Sequence, residues 1–135
     1  MILLNKIKKL IIEYEKEQEL SKIVNLYERL SLYSIFLAEE LSKYKTIYNT
    51  TYYNRKISIS HSYLNNKQEK ISDKLAIEKA NIENEELFKQ ELNQESQAIR
   101  LDNFLKQVNR VLDAIRTKIS YLKVEQERVT KDNII

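Results

Sequence analysis

The sequence contains no glycine, no proline and no cysteine. Glycine supplies the positive φ angles of tight turns, and proline rigidifies their corners. A chain of 135 residues with neither is poorly equipped for the many reversals of a sheet protein, so helices joined by a few Asn- or Ser-containing corners are expected. Without glycine there is no phosphate-cradling loop of the P-loop or dinucleotide-binding kind. Without cysteine there are no disulfides, thiolate nucleophiles or thiolate metal sites, and redox chemistry does not constrain the compartment.

Histidine occurs once, at His61. The residue three places before it is Ser58, so the Glu-x-x-His unit of di-iron bundles is missing. Glu39-Glu40 and Glu85-Glu86 are adjacent pairs, whose side chains diverge on a helix and read as solvated charge. No catalytic residue, metal ligand or cofactor is assigned, and the chain is expected not to be an enzyme. Long hydrophobic runs are lacking as well. The apolar start Ile2-Leu3-Leu4 is broken by Lys6, Lys8 and Lys9. A secretory signal needs an unbroken apolar stretch, and a membrane span needs about 18 apolar residues. A cytoplasmic protein with no membrane partner is therefore expected.

What the sequence does contain is helical periodicity in three segments, read as one all-α domain over 1–135. Over residues 2–18, Leu3, Ile7, Leu10, Ile11 and Tyr14 recur at helical spacing among lysines and glutamates. Such a helix either packs on its own protein or lies on anionic lipid. Glu13, Glu15, Glu17 and Glu19 favour the first. Residues 20–64 read as one long helix with a seam of Leu20/Ile23, Tyr27/Leu30, Leu37, Leu41/Tyr44 and Tyr48, and a second edge of Leu26, Tyr33 and Phe36. The alternation Ile57-Ser58-Ile59-Ser60 has the period of a strand, but the flanking pattern is helical and a frayed helix end is expected. Asn65-Asn66 reads as a corner, with Asn66 and Glu69 at capping-box spacing.

Residues 67–131 read as helix again, with a shift of phase near 93–98. Leu101, Leu105, Val108, Leu112, Ile115, Ile119 and Leu122 form a regular stripe. An unbroken helix of that length would approach about 100 Å at about 1.5 Å per residue. One chain cannot easily cover such a stripe, so the helix either folds back or packs on other subunits. These seven residues are assigned to the interface of a homo-oligomer, and the whole to long helices forming a helical hairpin or coiled-coil-like bundle.

The net charge of +3 is mild, but its distribution is uneven. Residues 41–70 carry Lys43, Lys45, Arg55, Lys56, Lys67 and Lys70 against Glu69, whereas residues 83–95 carry Glu83, Glu85, Glu86, Glu91 and Glu95 against Lys89. Within the basic stretch, Lys45, Asn49, Tyr52, Lys56, Tyr63 and Lys67 follow one another at steps of three, four or seven, which gathers cations and rings on one side of a helix. Single-stranded nucleic acid is bound by such a surface, because cations hold phosphates and rings stack on unpaired bases. Lys43, Tyr53 and Arg55 lie beside it and extend the candidate site. The competing reading is that the tyrosines pack against the seam and the lysines are merely solvated.

Three segments resemble the phage recombination mediators of the UvsY type. Leu32-Tyr33-Ser34-Ile35-Phe36-Leu37 is similar to that family's Leu-Tyr-Ser-x-aromatic-Leu segment in its first long helix. The basic, aromatic stretch from Lys43 to Tyr63 follows it. Leu112-Asp113-Ala114-Ile115-Arg116, with Ile119-Ser120-Tyr121-Leu122-Lys123 after it, is similar to the family's C-terminal Leu-Asp-Ala-Ile-basic helix. Ile59 and His61 stand where the family has a basic pair, with Arg55 and Lys56 just upstream. The resemblance runs from about Val24 to Gln126. It implies a ring-like homo-oligomer that binds single-stranded DNA and helps a recombinase replace the single-strand-binding protein, in the host cytoplasm if the chain is phage-encoded. An oligomeric helical adaptor that binds a partner protein is the alternative from a different class.

Overall fold

The computed structural model describes residues 2–68 and 70–134. They form four helices, α1 (Ile2–Lys16), α2 (Leu20–Lys67), α3 (Asp73–Glu83) and α4 (Glu85–Ile134), with no strand among the described residues. The all-α expectation holds. The chain divides into two compact units, one of residues 1–39 and 103–135, the other of residues 40–102.

The first unit contains α1, the start of α2 and the C-terminal part of α4. Its core follows the seven-residue repeat. Ile23, Leu30 and Leu37 of α2 are all but completely buried, as are Ile7 of α1 and Val108 and Ile115 of α4, with Leu10, Leu26 and Leu112 beside them. One apolar residue from each turn of three segments gives the continuous stripe that amphipathic helices bury. The tight turn between α1 and α2 is closed without glycine. Glu17 Oε1 accepts from the backbone N–H groups of Gln18 (3.1 Å) and Glu19 (3.0 Å), as a cap side chain would. The ammonium of Lys118 lies over the Tyr14 ring at 5.3 Å and donates to the Glu17 carbonyl at 3.5 Å. It thus places a cation where the dipole of α1 is negative.

The 101–122 stripe is covered mostly by this chain itself. Leu101, Val108, Leu112 and Ile115 are buried, and Leu105, Ile119 and Leu122 are half-buried. Because the start of α2 and α1 share the core with Val108, Leu112 and Ile115, those three need no second subunit to leave water. The large apolar side chains that this unit leaves exposed lie elsewhere, and include Ile12, Leu32, Ile35, Phe36, Tyr121, Val124 and Val129.

The second unit is an antiparallel helical hairpin. Partners across it descend on one strand of the pairing as they rise on the other: Arg55 with Glu91, Ser62 with Asn84, Asn66 with Glu83. The inward face of α2 here is Arg55, Ser58, Ile59, Ser62, Tyr63 and Asn66, while Ile57 and Leu64 are exposed. The alternation at 57–64 is therefore neither strand nor fraying. Ser58 and Ser62, four apart, meet the opposite helix, and α2 continues to Lys67. Ala76 and Ala80 of α3 are wholly buried, and the absence of bulk on both sides lets the helices approach closely.

The corner lies later than the sequence reading placed it. Asn65 and Asn66 are in the last turn of α2, and the buried Asn66 amide donates to Glu83 Oε1 at 3.3 Å. Lys70 takes the left-handed conformation (φ 59°) that glycine would take elsewhere. Ser72, extended at ψ 154°, caps α3 by accepting from Leu75 N at 3.2 Å. Glu69 lies outside the described residues. The expected single helix over 67–131 is likewise divided, at Asn84, while α4 runs unbroken through 93–98. The Asn84 side chain donates to Ala80 O (2.8 Å) and Ser62 Oγ (3.1 Å) and accepts from Ser58 Oγ. An amide that bonds the preceding turn competes with the helix ladder, and the backbone leaves helical geometry there (φ −109°, ψ 16°).

Ile115→Ala should lower the stability of the chain by about 2–5 kcal/mol, since the side chain is wholly buried. Denaturant unfolding followed by circular dichroism measures this. Val124→Ala, at an exposed position, should change the midpoint little.

Candidate nucleic-acid interface

The basic, aromatic stretch is helical throughout, so its side chains radiate at steps of about 100° (3.6 residues per turn). Residues four apart stack along one side. Tyr48 and Tyr52 have ring centroids 6.5 Å apart, and Tyr53 meets Tyr52 edge-on at 5.6 Å. Two cations flank Tyr52: Lys56 Nζ lies 4.6 Å from its centroid and the Arg55 guanidinium 5.5 Å. Arg55 also lies 5.2 Å from the ring of Phe88 on α4. The result is a connected series of rings and cations running from Tyr48 to Phe88.

The eight candidate residues divide into two groups. Lys43, Lys45, Tyr53 and Lys56 are exposed and Tyr52 half-buried, all facing outward enough to reach a ligand. Lys43 makes only an exposed helical pair with Glu40 at 3.2 Å, the kind that contributes little. Arg55, Tyr63 and Lys67 are instead engaged across the hairpin. Arg55 grips Glu91 through two contacts, Nε to Oε2 and Nη2 to Oε1 (3.2 Å), and the two side chains are only 17% and 8% exposed. That bond holds the guanidinium firmly charged, its pKa raised above the ordinary arginine value against the opposing effect of burial. Lys67 Nζ is 2.7 Å from Asp73 and also donates to Ile71 O, while Tyr63 Oη donates to Asp73 at 3.1 Å. The lysine hydrogen bond, then the tyrosine one, hold the Asp73 carboxyl below the usual carboxylate range, and the bond to Asp73 raises the pKa of Lys67.

These pairings explain what became of the uneven charge. The basic end of α2 lies against the acidic residues that follow it, and residues 40–102 contain ten lysines and arginines against ten aspartates and glutamates. Beside the series, Lys45, Tyr48 and Asn49 face Glu95, Ala98, Ile99 and Asp102 across a groove of about 310 Å³. Partial burial there, then Glu95 and Glu91, push the Tyr48 phenol up from its ordinary pKa. Two residues that complete the site were missed from the sequence, Glu91 and Phe88. Both sit in the acidic segment, and the only hint available was a charge of opposite sign at a distance that a hairpin brings back.

Comparisons with protein-family models, curated proteins and solved structures find no match to this chain. Among the described residues no group of His, Asp or Glu side chains is placed to hold a metal ion, and no helix is long and apolar enough to cross a membrane.

Glu91→Ala would leave Arg55 charged and unpaired in a mostly buried position. Loss of one partner of such a pair typically costs about 3–5 kcal/mol, so the variant should unfold at markedly lower denaturant, and Glu91→Gln should lose less. The Asp73 carboxyl has its folded pKa below the unfolded one, so its contact with Lys67 contributes stability above the unfolded value and loses it as pH falls through the depressed one. In an NMR titration Asp73 should show a midpoint below 3.8, moving back toward it in Lys67→Met.

Proposed function

We propose that this chain binds single-stranded DNA without catalysing a reaction, as a recombination mediator that helps load a recombinase onto DNA covered by single-strand-binding protein. The observation that carries the DNA-binding part is the exposed turn of α2 where Lys56 lies over Tyr52 and Tyr53 is 64% exposed. A cation held against an aromatic face presents a phosphate ligand and a stacking surface together. Lys43 and Lys45, exposed about two to three turns before Tyr52, extend the phosphate-binding edge along the same helix. Arg55, engaged with Glu91, serves to orient Tyr52, and it is not itself counted among the phosphate ligands. The recombinase-loading part and a ring-like homo-oligomer rest on the resemblance alone.

A second reading has its own support. Leu32, Ile35 and Phe36 are 42–56% exposed in the first unit, as expected of a helical adaptor or of self-assembly through that face. Under that reading the lysines and tyrosines of α2 are solvated and silent.

Fluorescence anisotropy with a labelled single-stranded oligonucleotide, at two salt concentrations and with duplex as competitor, separates the two. The mediator reading expects salt-sensitive binding that prefers the single strand. Tyr52→Ala should weaken it about tenfold, and Lys45→Ala with Lys56→Ala should reduce the slope of log K on log salt by about 0.7 per lysine, with helicity unchanged. The adaptor reading expects no binding at low salt, and loss of partner capture in Phe36→Asp.

A further inference from the structure

We infer that the second unit holds a subsite for a single unstacked nucleobase, formed by Phe88, Asn81 and Glu85 beside the Arg55 guanidinium, an inference that rests on the DNA-binding reading above. The place is a cavity of about 320 Å³ between α2 and the α3–α4 junction, lined by Arg55, Ile59, Asn81, Asn84, Glu85 and Phe88. That volume is at the small end of ligand sites and suits one flat ring better than a folded peptide side.

Its walls have the chemistry of base recognition. Phe88 is a large ring in the acidic first turns of α4, and it is left 48% exposed. It adjoins the Arg55 plane, which Glu91 holds through Nε and Nη2, so ring and guanidinium form a rigid π surface with little freedom left to lose on binding. The guanidinium's Nη1 takes no part in that pairing. Around this surface, Asn81 brings a carboxamide able to donate and accept, and Glu85 brings an acceptor whose ion pair with Lys89 is long (3.5 Å) and exposed. Donor and acceptor edges around a stacking face are what hydrogen-bond readout of an unpaired base requires. Asn84 forms part of the wall, but its amide is already satisfied by Ala80, Ser62 and Ser58, so it supports the site without reading the ligand. The subsite also continues the outward series. Lys56 lies on Tyr52, Tyr52 on Arg55, and Arg55 on Phe88. A strand whose phosphates lie along Lys45 and Lys56 thus has a base-sized recess within reach of its next ring contact.

The test compares a labelled single-stranded oligodeoxyadenylate with an abasic strand of equal length, which carries the same phosphates and no bases, on the full-length chain, Phe88→Leu and Asn81→Ala. Phe88→Leu keeps apolar bulk and removes the aromatic face. It should weaken oligodeoxyadenylate binding about tenfold, and Asn81→Ala about fivefold, while the abasic strand binds all three alike. Asn81 is exposed, so its variant carries the test even if Phe88→Leu fails to fold, which circular dichroism reveals. If both variants bind oligodeoxyadenylate as the parent chain does, while Lys45→Ala with Lys56→Ala still weakens both strands, the subsite is overturned and the DNA-binding reading stands. If the parent chain binds neither strand at low salt, both are overturned together.

Discussion

In the second unit, the pairing of Arg55 with Glu91 determines which faces of α2 and α4 meet. Two long, mostly polar helices have little apolar area with which to choose a register, and the buried apolar side chains of this unit include only Leu41, Leu101 and small alanines. A charge placed inside a helical interface is tolerated only opposite its partner, because a slip of one residue would strand it. Once that pair is made, Ser58 and Ser62 are brought to Asn84, and Asn66 to Glu83. The same pair holds the guanidinium flat between Tyr52 and Phe88. The interface and the candidate site are therefore two sides of one set of contacts.

The lack of glycine leads to a consistent solution at the ends of helices. At each reversal a side chain supplies what backbone freedom would otherwise supply. Glu17 caps the turn before α2, Ser72 caps α3, and Asn84 bonds back to the turn that it ends. Among the described residues only Lys70 enters the left-handed region. Each of these residues is polar, so each device depends on a specific hydrogen bond, whereas a glycine turn would need none. That ties the ends of α1 and α3 to the surrounding packing, as with Lys118 at the end of α1.

The two units differ in how they are held. The first has a core of large aliphatic residues at seven-residue spacing, and it carries the excess of positive charge, thirteen lysines and arginines against ten acidic residues. The second is electrically balanced and joined largely by hydrogen bonds. The exposed Lys–Tyr turn of α2 belongs to the balanced unit, so any attraction for a polyanion there is local and short in range, which makes ring stacking the larger part of the proposed recognition.

The sequence by itself determined the all-helical class. Its missing glycine and proline, and the period of Ile23, Leu30 and Leu37, leave no other economical way to bury the chain. It also determined that Lys45, Tyr52 and Lys56 share one side of a helix, because that follows from spacing alone. Tertiary structure decided the rest. It gave Arg55 and Lys67 to carboxylates 36 and 6 residues away and moved the corner from Asn66 to Ser72. It broke the last helical region at Asn84, covered most of the 101–122 stripe within the chain, and brought Phe88 to the candidate site. All of these are consequences of which helix lies opposite which, and periodicity along one helix states which face is apolar without stating what will cover it.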